Sequence, residues 1–405
     1  MAVGSGWSNE VHDVAGIRLA AVKSGIRYPD RFDLVLVELS EETKVAGIFT
    51  QNAFCAAPVK VAKAHLLSEN PKYFLINSGN ANAGTGKEGH DDALACCQAV
   101  ADIGKTSKQC VLPFSTGVIG EKLRVEKIKA AVPKVFDLLR KSNWSDAAIG
   151  ILTTDTRPKL VSKKVYLDGN WLTITGFAKG SGMIRPDMAT MLSYIFTDAT
   201  MDKTLLNQTL QELANESFNR ITVDGDTSTN DASMLAATGA SGVNISALNE
   251  KDQSEFFENL KFVFQRLAIE LIKDAEGATK FITIQVGQGR TQGECLKVAY
   301  SVAESPLVKT ALFASDPNWG RVLAAIGRAG IKDLDLDEVE INIGDAQIVS
   351  NGRVDGAYTE TIGKSVMEEE EITISIVLKR GDYKEVVWTS DLSYEYIRIN
   401  AEYRT

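Results

Sequence analysis

Hydrophobic and polar positions follow two different periods along the first hundred residues, which predicts a mixture of strands and helices. Runs rich in β-branched and aromatic residues, typical of strands, lie at 32–40 (FDLVLVELS), 44–50 (KVAGIFT) and 72–77 (KYFLIN). A helical pattern occupies 91–103 and stops near Gly104. The pattern therefore indicates a mixed α/β fold.

A β-hairpin is predicted at residues 164–178, which read KVYLDGNWLTITGFA. Asp168-Gly169 is a pair typical of tight hairpin turns, and it separates two β-rich runs. The hairpin leads the chain to Lys179. Another strand-like run, MLSYIFTDA, follows Thr190 directly, so Thr190 lies at the entrance of a predicted strand.

The second half of the chain combines amphipathic helices with strands. One helix is predicted from about Asp202 to Phe218, and a longer one from about Ser254 to Gly277, because a left-handed glycine commonly ends a helix. Three strand-like runs follow, EVEINI, ITISIVL and EVVWTS. The sequence has no internal repeat, low-complexity tract or proline-rich linker, so composition alone does not fix domain boundaries.

Composition narrows the classes of function. The chain has 405 residues, of which 44% are hydrophobic and 24% charged, as in ordinary globular proteins. Its formal net charge of -9 argues against nucleic acid or an anionic membrane as a partner, because both attract basic surfaces. Small molecules are the expected partners. The irregular spacing of the five cysteines, and the absence of a targeting or membrane-spanning pattern, predict a reducing cytoplasmic location.

Several motif-like stretches do not satisfy the chemistry they suggest. The stretch 79–89, GNANAGTGKEG, is not a P-loop, because Lys87 is followed by Glu88. The stretch 224–231, DGDTSTND, lacks the glycine and the final carboxylate of an EF-hand. The three histidines of the chain lie in no metal-ligand or nucleophile motif. We therefore expect neither a metal site nor a bound cofactor.

An enzyme that is poor in histidine can activate a threonine through the amine of an N-terminal threonine. Thr190 would gain such an amine if the Ala189-Thr190 bond broke, and the small Ala189 side chain leaves that carbonyl accessible to the hydroxyl. An α-amino group has a pKa near 7.7 to 8.0, so a useful fraction is neutral in the cell. One Ala-Thr pair is a weak signal, however, and a buried strand threonine is its ordinary explanation.

The surroundings of Thr190 resemble the ornithine acetyltransferase family of arginine biosynthesis. KGSGMIRPDMATML is similar to the processing motif of that family, except that Arg185 and Asp187 stand where a small residue and Asn are more usual. Further similar stretches extend along almost the whole chain: FTQNAFCAAPV, INSGNANAGTG, STGVIGE, TTDT, VDGDTSTND, KDAEGATKF, DPNWGR and RINAEYRT.

The resemblance implies a role for particular residues. It makes Thr190 the nucleophile, and it makes Thr116 and Gly117 the oxyanion hole, through a hydroxyl and a backbone N–H. The implied substrate contacts are Thr153 (or Thr154, if the register is one residue off), Lys179, Thr190, Glu276, Asn400 and Thr405. A lysine suits the α-carboxylate of an amino-acid substrate. Glu276, at the unfavourable C-terminal end of a predicted helix, suits the side-chain ammonium of ornithine.

The resemblance also implies a layered α/β/β/α sandwich, cleaved between Ala189 and Thr190 into an α chain (1–189) and a β chain (190–405). A smaller α/β part is expected from about residue 285, and the two chains are expected to associate as α2β2. The implied reaction moves acetyl from N2-acetyl-L-ornithine to L-glutamate through acetyl-Thr190. Whether acetyl-CoA is also a donor stays open.

Two other functions remain open from the residues alone. The first is an N-terminal-nucleophile amidase or aminopeptidase of similar fold, in which water rather than glutamate resolves the acyl-enzyme. The second is a non-catalytic amino-acid-binding protein in which Thr190 is only a core residue. Deacetylation without glutamate would favour the first function, and an uncleaved chain that binds ornithine would favour the second.

Overall fold

Contacts between elements divide the chain into two compact units in the computed structural model, which describes residues 2–7, 10–185 and 191–402. The larger unit comprises Trp7–Asn219 and Thr227–Leu271. The smaller unit comprises the described parts of Met1–Gly6, Arg220–Asp226 and Ile272–Thr405. Neither unit is continuous in sequence.

The larger unit contains strands and helices in alternation. Its strands are β1 (Ile17–Val22), β2 (Leu34–Leu39), β3 (Lys44–Phe49), β4 (Tyr73–Asn80), β5 (Val111–Val118), β6 (Lys159–Leu167), β7 (Asn170–Lys179), β8 (Leu192–Thr197) and β9 (Ala232–Ala237). Its helices are α1 (Ala57–Ser68), α2 (Gly86–Gly104), α3 (Val125–Asp137), α4 (Trp144–Gly150), α5 (Lys203–Asn215) and most of α6 (Glu250–Lys273).

These strands form two sheets with the orders β1-β2-β4-β5 and β3-β9-β8-β7-β6. In the first, β4 and β5 are parallel neighbours, whereas in the second β8 runs parallel to β9 and antiparallel to β7. The predicted hairpin is confirmed: β6 pairs with β7 around Asp168 and Gly169, whose φ angles of 48° and 76° suit a type I′ turn.

A hydrophobic core lies between the two sheets. Alternate side chains of β4 point to opposite faces, so Phe74 and Ile76 enter this core while Tyr73 and Leu75 pack on the other side of their sheet. The second sheet supplies aromatic partners, among them Tyr194, whose ring centroid lies 6.0 Å from that of Phe74. The opposing sheets are thus held together by buried aromatic and aliphatic groups.

Helices cover both outer faces of this pair of sheets. On the first sheet, buried residues of α2 and α3 share a core with Tyr73 and Leu75. On the second sheet, α5 packs on β3 and β9, and Leu267 of α6 lies against Gly176 of β7. The larger unit is therefore a layered α/β/β/α sandwich, and the expected mixed α/β fold class is confirmed.

The smaller unit is built on a third sheet. Its strands are β10 (Phe281–Gly289), β11 (Glu340–Ile343), β12 (Ala346–Ser350), β13 (Arg353–Val354), β14 (Glu371–Val377) and β15 (Tyr383–Ser390). They pair in the order β13-β12-β11-β14-β10-β15, and the core lies between this sheet and the helices packed on it. Its helices are α7 (Gln292–Ala303), α8 (Pro306–Phe313), α9 (Trp319–Gly327), α10 (Glu360–Met367) and α11 (Tyr394–Ala401).

The predicted end of the long helix is wrong by one turn. Helix α6 ends at Lys273, and Glu276 lies in the turn that follows it, where the N–H groups of Ala275 and Ala278 bond carbonyls three residues back. Gly277 does adopt a left-handed φ of 69°, and a Cβ there would lie 2.6 Å from the backbone nitrogen of Tyr396. The glycine is thus required by the close approach of α11.

Candidate active site

The first part of the candidate site is an irregularity between the parallel strands β4 and β5. Gly79 pairs with Gly117, but Asn80 faces both Thr116 and Val118, so the register shifts at this point. Bulges of this kind re-aim side chains and often lie beside active sites. The two residues predicted to form the oxyanion hole therefore sit at the end of a buried strand, where the ladder is locally disrupted.

Gly117 occupies a position that only glycine fits. Its φ is 133°, and a Cβ there would lie 2.3 Å from the carbonyl carbon of Gly79. Both the backbone conformation and the close approach exclude a side chain. The position of the Gly117 N–H is consequently fixed by backbone packing.

We expect Gly117→Ala to destabilise the larger unit by more than about 1 kcal/mol, because the substituted residue must leave this conformation or displace Gly79. Thermal unfolding checks this result. Gly287→Ala is the matched control, since a Cβ at Gly287 meets nothing within 4 Å. Equal melting temperatures for the two variants would contradict the packing argument.

Buried amide and hydroxyl side chains support the end of β5, which carries Thr116 and Gly117. Ser115 Oγ donates to Asn77 Oδ1 at 2.6 Å, and Asn77 Nδ2 donates to the Asn80 carbonyl at 2.9 Å. From the loop before β9, Asn230 Nδ2 donates to the carbonyls of Ala81 and Ser115 at 2.6 and 2.9 Å. These bonds join three of the quoted sequence stretches and give their buried polar side chains hydrogen-bond partners.

Lys179 is the centre of the site. Its Nζ donates to Thr116 Oγ1 at 2.9 Å and to Thr153 Oγ1 at 3.0 Å. The structure therefore brings together three predicted site residues that are far apart in sequence. Thr154, the alternative to Thr153, instead pairs with Ser181 Oγ at 2.7 Å. Within the described residues, the geometry favours Thr153 as the threonine that faces Lys179.

Asp155 lies near Lys179, and its side chain is fully buried. Its carboxylate accepts hydrogen bonds from the Gly180 N–H at 2.8 Å and from Lys159 Nζ at 2.5 Å. Burial alone would raise the pKa of this carboxyl, but the charges of Lys159 and Lys179 and these hydrogen bonds hold the pKa well below its usual range. Asp155 is therefore ionised throughout the physiological pH range.

The pKa of a second buried carboxyl, that of Asp231, is shifted in the opposite direction. Burial raises the pKa of Asp231 well above its usual range, although hydrogen bonding from Ser228 and the charge of Lys179 act to lower it. Asp231 Oδ2 has no hydrogen-bond partner among the described residues. Two carboxyls near one lysine thus differ in environment, so that Asp155 supplies the negative charge and Asp231 favours the neutral form.

The remaining predicted residues fall into two groups. Glu276 and Asn400 belong to the smaller unit, where Asn400 Nδ2 donates to Glu276 Oε2 at 2.8 Å. Glu276 is largely buried and Asn400 is exposed. Ala189, Thr190 and Thr405 lie outside the described residues.

Sequence reasoning did not single out Asp155, Asp231 or the bracing amides as parts of the site. Asp155 lies inside the quoted TTDT stretch and Asp231 ends the VDGDTSTND stretch, so the motifs themselves contained the signal. Their roles depend on which atoms meet in space, and sequence spacing does not reveal that.

The described residues contain no cluster of His, Cys, Asp and Glu side chains suited to a metal ion. The histidine at position 65 is buried, and its Nδ1 pairs with the Val111 carbonyl at 2.8 Å, which is a structural contact. Among the same residues, no helix is both long enough and apolar enough to cross a membrane.

The fold and the site together define a class: a layered α/β/β/α protein with lysine, hydroxyl and backbone donors gathered at the strand ends, suited to a small anionic or carbonyl-bearing molecule. The ArgJ family model matches residues 18–405. The chain belongs to the ArgJ family.

Two named relatives match the chain over its full length. The chain is 50% identical to the arginine biosynthesis bifunctional protein ArgJ of Pseudomonas fluorescens (strain Pf0-1), with both chains completely covered. It is 51% identical to the protein of the same name from Psychrobacter arcticus, again over 100% of each chain. A crystal structure of the Bacillus halodurans protein of that name is 36% identical, covering 51% of this chain and 96% of that one, with a TM-score of 0.48.

Proposed function

We propose that this protein is an acyltransferase of arginine biosynthesis that transfers acetyl from N2-acetyl-L-ornithine to L-glutamate. Membership of the ArgJ family and the full-length similarity to arginine biosynthesis proteins support this pathway. The single observation that carries the proposal is the convergence of Thr116 and Thr153 on the Lys179 ammonium. Those residues come from three separate stretches, each with a predicted role in one reaction.

The first step is self-cleavage at Ala189-Thr190. The Thr190 hydroxyl adds to the Ala189 carbonyl, the acyl group shifts from nitrogen to oxygen, and water hydrolyses the resulting ester. The products are a chain ending in the Ala189 carboxylate and a chain beginning with the Thr190 amine. That amine then serves as the base for the hydroxyl of its own residue.

The acetyl group is transferred in two half-reactions. The Thr190 hydroxyl gives its proton to the Thr190 amine and adds to the acetyl carbonyl, while the Thr116 hydroxyl and the Gly117 N–H hold the oxyanion. The C–N bond breaks, ornithine takes the proton, and acetyl-Thr190 remains. Glutamate then attacks this ester through its amine, which gives N-acetylglutamate and regenerates the threonine.

The contact between Lys179 and Thr116 supports the oxyanion role. Thr116 Oγ1 accepts from the ammonium, so the hydrogen of its own hydroxyl is left to donate. A neighbouring cation also strengthens donation to a developing negative charge. Lys179 and Thr153 are in addition the proposed contacts for the α-carboxylate of each amino-acid substrate.

Other parts of the proposal rest on the resemblance. Glu276 is the proposed partner of the ornithine ammonium, and Asn400 and Thr405 are proposed substrate contacts. No cofactor is required by the two half-reactions, and acetyl-CoA is an additional candidate donor. The cleaved chains are proposed to stay associated as α2β2 in the cytoplasm.

Steady-state kinetics with N-acetylornithine and glutamate test the proposal. Because ornithine leaves before glutamate binds, double-reciprocal plots at several glutamate concentrations should give parallel lines. Incubation with N-acetylornithine alone should leave the fragment that begins at Thr190 heavier by one acetyl group. Rapid release of acetate without glutamate would contradict transferase function and favour an amidase.

We expect Lys179→Met to raise the KM for glutamate, because an apolar side chain cannot hold the substrate carboxylate. Lys164→Met, on the exposed face of the same hairpin, is the matched control and should keep the wild-type KM. Initial-rate measurements check both results. A wild-type KM in Lys179→Met would exclude Lys179 as a carboxylate contact.

A further inference from the structure

We propose that Asp155 is a positioning residue that holds Lys179, Thr153 and Gly180, the first residue of the cleavage segment (residues 180–190), in one arrangement. The inference rests on the proposed function, because it assigns Asp155 a task in both self-cleavage and transfer. Asp155 acts through its neighbours, since it contacts the backbone N–H groups of Thr153 and of Gly180, the residue after Lys179.

The hydrogen bonds of Asp155 connect the two segments that form the site. Oδ2 accepts from the Thr153 N–H at 3.1 Å, and Oδ1 accepts from the Gly180 N–H at 2.8 Å. Thr153 and Lys179, the residue before Gly180, meet through their own side chains at 3.0 Å. One carboxylate thus fixes the backbone on both sides of the Lys179–Thr153 contact.

Through its hydrogen bond to Gly180, the same carboxylate is also connected to the strand that follows the cleavage site. The φ of Gly180 is 148°, and a Cβ there would lie 3.2 Å from Met191 Cβ. Met191 directly follows Thr190 in the chain. Since Lys179 also pairs with Leu192 in the β7–β8 ladder, a shift of the backbone at residues 179–180 would move the strand that follows the predicted nucleophile.

The loop that carries Asp155 is anchored at both ends within the larger unit. On its N-terminal side, Arg31 donates to the Thr153 carbonyl at 3.2 Å. On its C-terminal side, Arg157 pairs with Glu270 of α6 at 3.1 Å. A rigid loop is what a positioning carboxylate requires, because a mobile one would not define the direction of its hydrogen bonds.

Asp155 is also the counter-charge of two lysines. The side chains of Asp155 and Lys159 are both fully buried, and the charges of Lys159 and Lys179 both favour the ionised carboxylate. Asp231 is a further titratable group near Lys179, and its buried environment favours the neutral form. Loss of the Asp155 charge would leave two ammonium groups near each other without this compensation.

Asp155→Asn tests the inference, because asparagine keeps the shape and removes the charge. We expect self-cleavage and kcat each to fall by ~100-fold, the loss that a misplacement of about 1 Å can cause. We also expect a change that packing alone does not cause. Without its counter-charge, Lys179 should lose its proton at lower pH, so the rise of the glutamate KM at alkaline pH should begin earlier than in the wild type.

The double variant Asp155→Asn/Lys159→Met removes the second ammonium as well and restores the charge balance. It should return the alkaline limb of the KM profile toward the wild-type position, and it also covers the case in which the single variant does not fold. Asp198→Asn is the matched control, since Asp198 is another buried carboxyl of this unit, accepting from the Thr173 N–H at 2.8 Å. We expect wild-type cleavage and a wild-type pH profile in this control.

Wild-type cleavage and kinetics in Asp155→Asn would overturn the inference. So would a loss of rate with an unshifted pH profile that Lys159→Met does not change, because that result indicates general destabilisation. Failure of the proposed function is separable: the wild type would then cleave yet not acetylate glutamate, while the dependence of cleavage on Asp155 would still support the positioning role.

Discussion

Thr190→Ala should give a single uncleaved chain without acetyltransferase activity. Alanine has no hydroxyl to attack the preceding carbonyl, so neither the ester nor the N-terminal amine can form. The same hydroxyl is the proposed carrier of the acetyl group, and its loss removes both half-reactions. Denaturing electrophoresis and an assay for N-acetylglutamate measure the two effects on the same preparation.

Thr190→Ser is the matched control for this experiment. Serine keeps the hydroxyl and, after cleavage, the amine, so this variant should still cleave and retain measurable transfer. Recovery of two fragments from Thr190→Ala would overturn the proposed cleavage chemistry. A single uncleaved Thr190→Ala chain with full transferase activity would show that another residue carries the acetyl group.

Thr116→Ala should lower kcat by ~10²–10³, the usual effect of removing one oxyanion-hole donor. The variant loses the hydroxyl proposed to stabilise the oxyanion. It also loses an oxygen that accepts a hydrogen bond from Lys179 Nζ, at 2.9 Å in the wild type. The remaining oxyanion donor, the Gly117 N–H, is held by backbone packing and should be unaffected. The main effect should therefore appear in kcat rather than in KM.

Thr116→Ser separates the hydroxyl from the methyl group of the same side chain. It keeps the donor and should retain most of the wild-type kcat. Equal kcat values for Thr116→Ala and Thr116→Ser would exclude the hydroxyl from oxyanion stabilisation. A change in KM alone would instead place Thr116 among the contacts of the substrate ground state.

Much of the fold could be predicted from the hydrophobic pattern. The hairpin around Asp168 and Gly169 is predictable because its turn residues and the alternating residues beside them act locally. The C-terminal end of α6 is harder to predict. Gly277 does have the predicted left-handed backbone, but it serves the approach of α11 from far along the chain, and the helix ends at Lys273.

The set of chain segments that form the smaller unit could not be predicted from the hydrophobic pattern. Residues 220–226 join a sheet formed by the last third of the chain, since Ile221 bridges Trp388 and Arg220 pairs with Glu385 at 3.0 Å. Such long-range pairings leave no local pattern in the sequence. No linker-like composition marks the points where the chain passes from one unit to the other.

The residues of the candidate site, too, could be predicted only in part from the sequence. The resemblance predicts roles for Thr116, Thr153 and Lys179, and their side chains are in contact in the structure. It did not reveal the supporting carboxylates, because the ionised state of Asp155 and the raised pKa of Asp231 both follow from burial and from neighbours distant in sequence.

Denaturing intact-mass analysis of freshly purified wild-type protein, with N-terminal sequencing of each fragment, determines whether Thr190 becomes an N-terminus. We expect two species whose masses sum to 43.9 kDa plus one water. The smaller should end at Ala189 and the larger should begin Thr190-Met191-Leu192. A single full-length species, or a junction elsewhere, would contradict the claim that Thr190 becomes an N-terminal nucleophile.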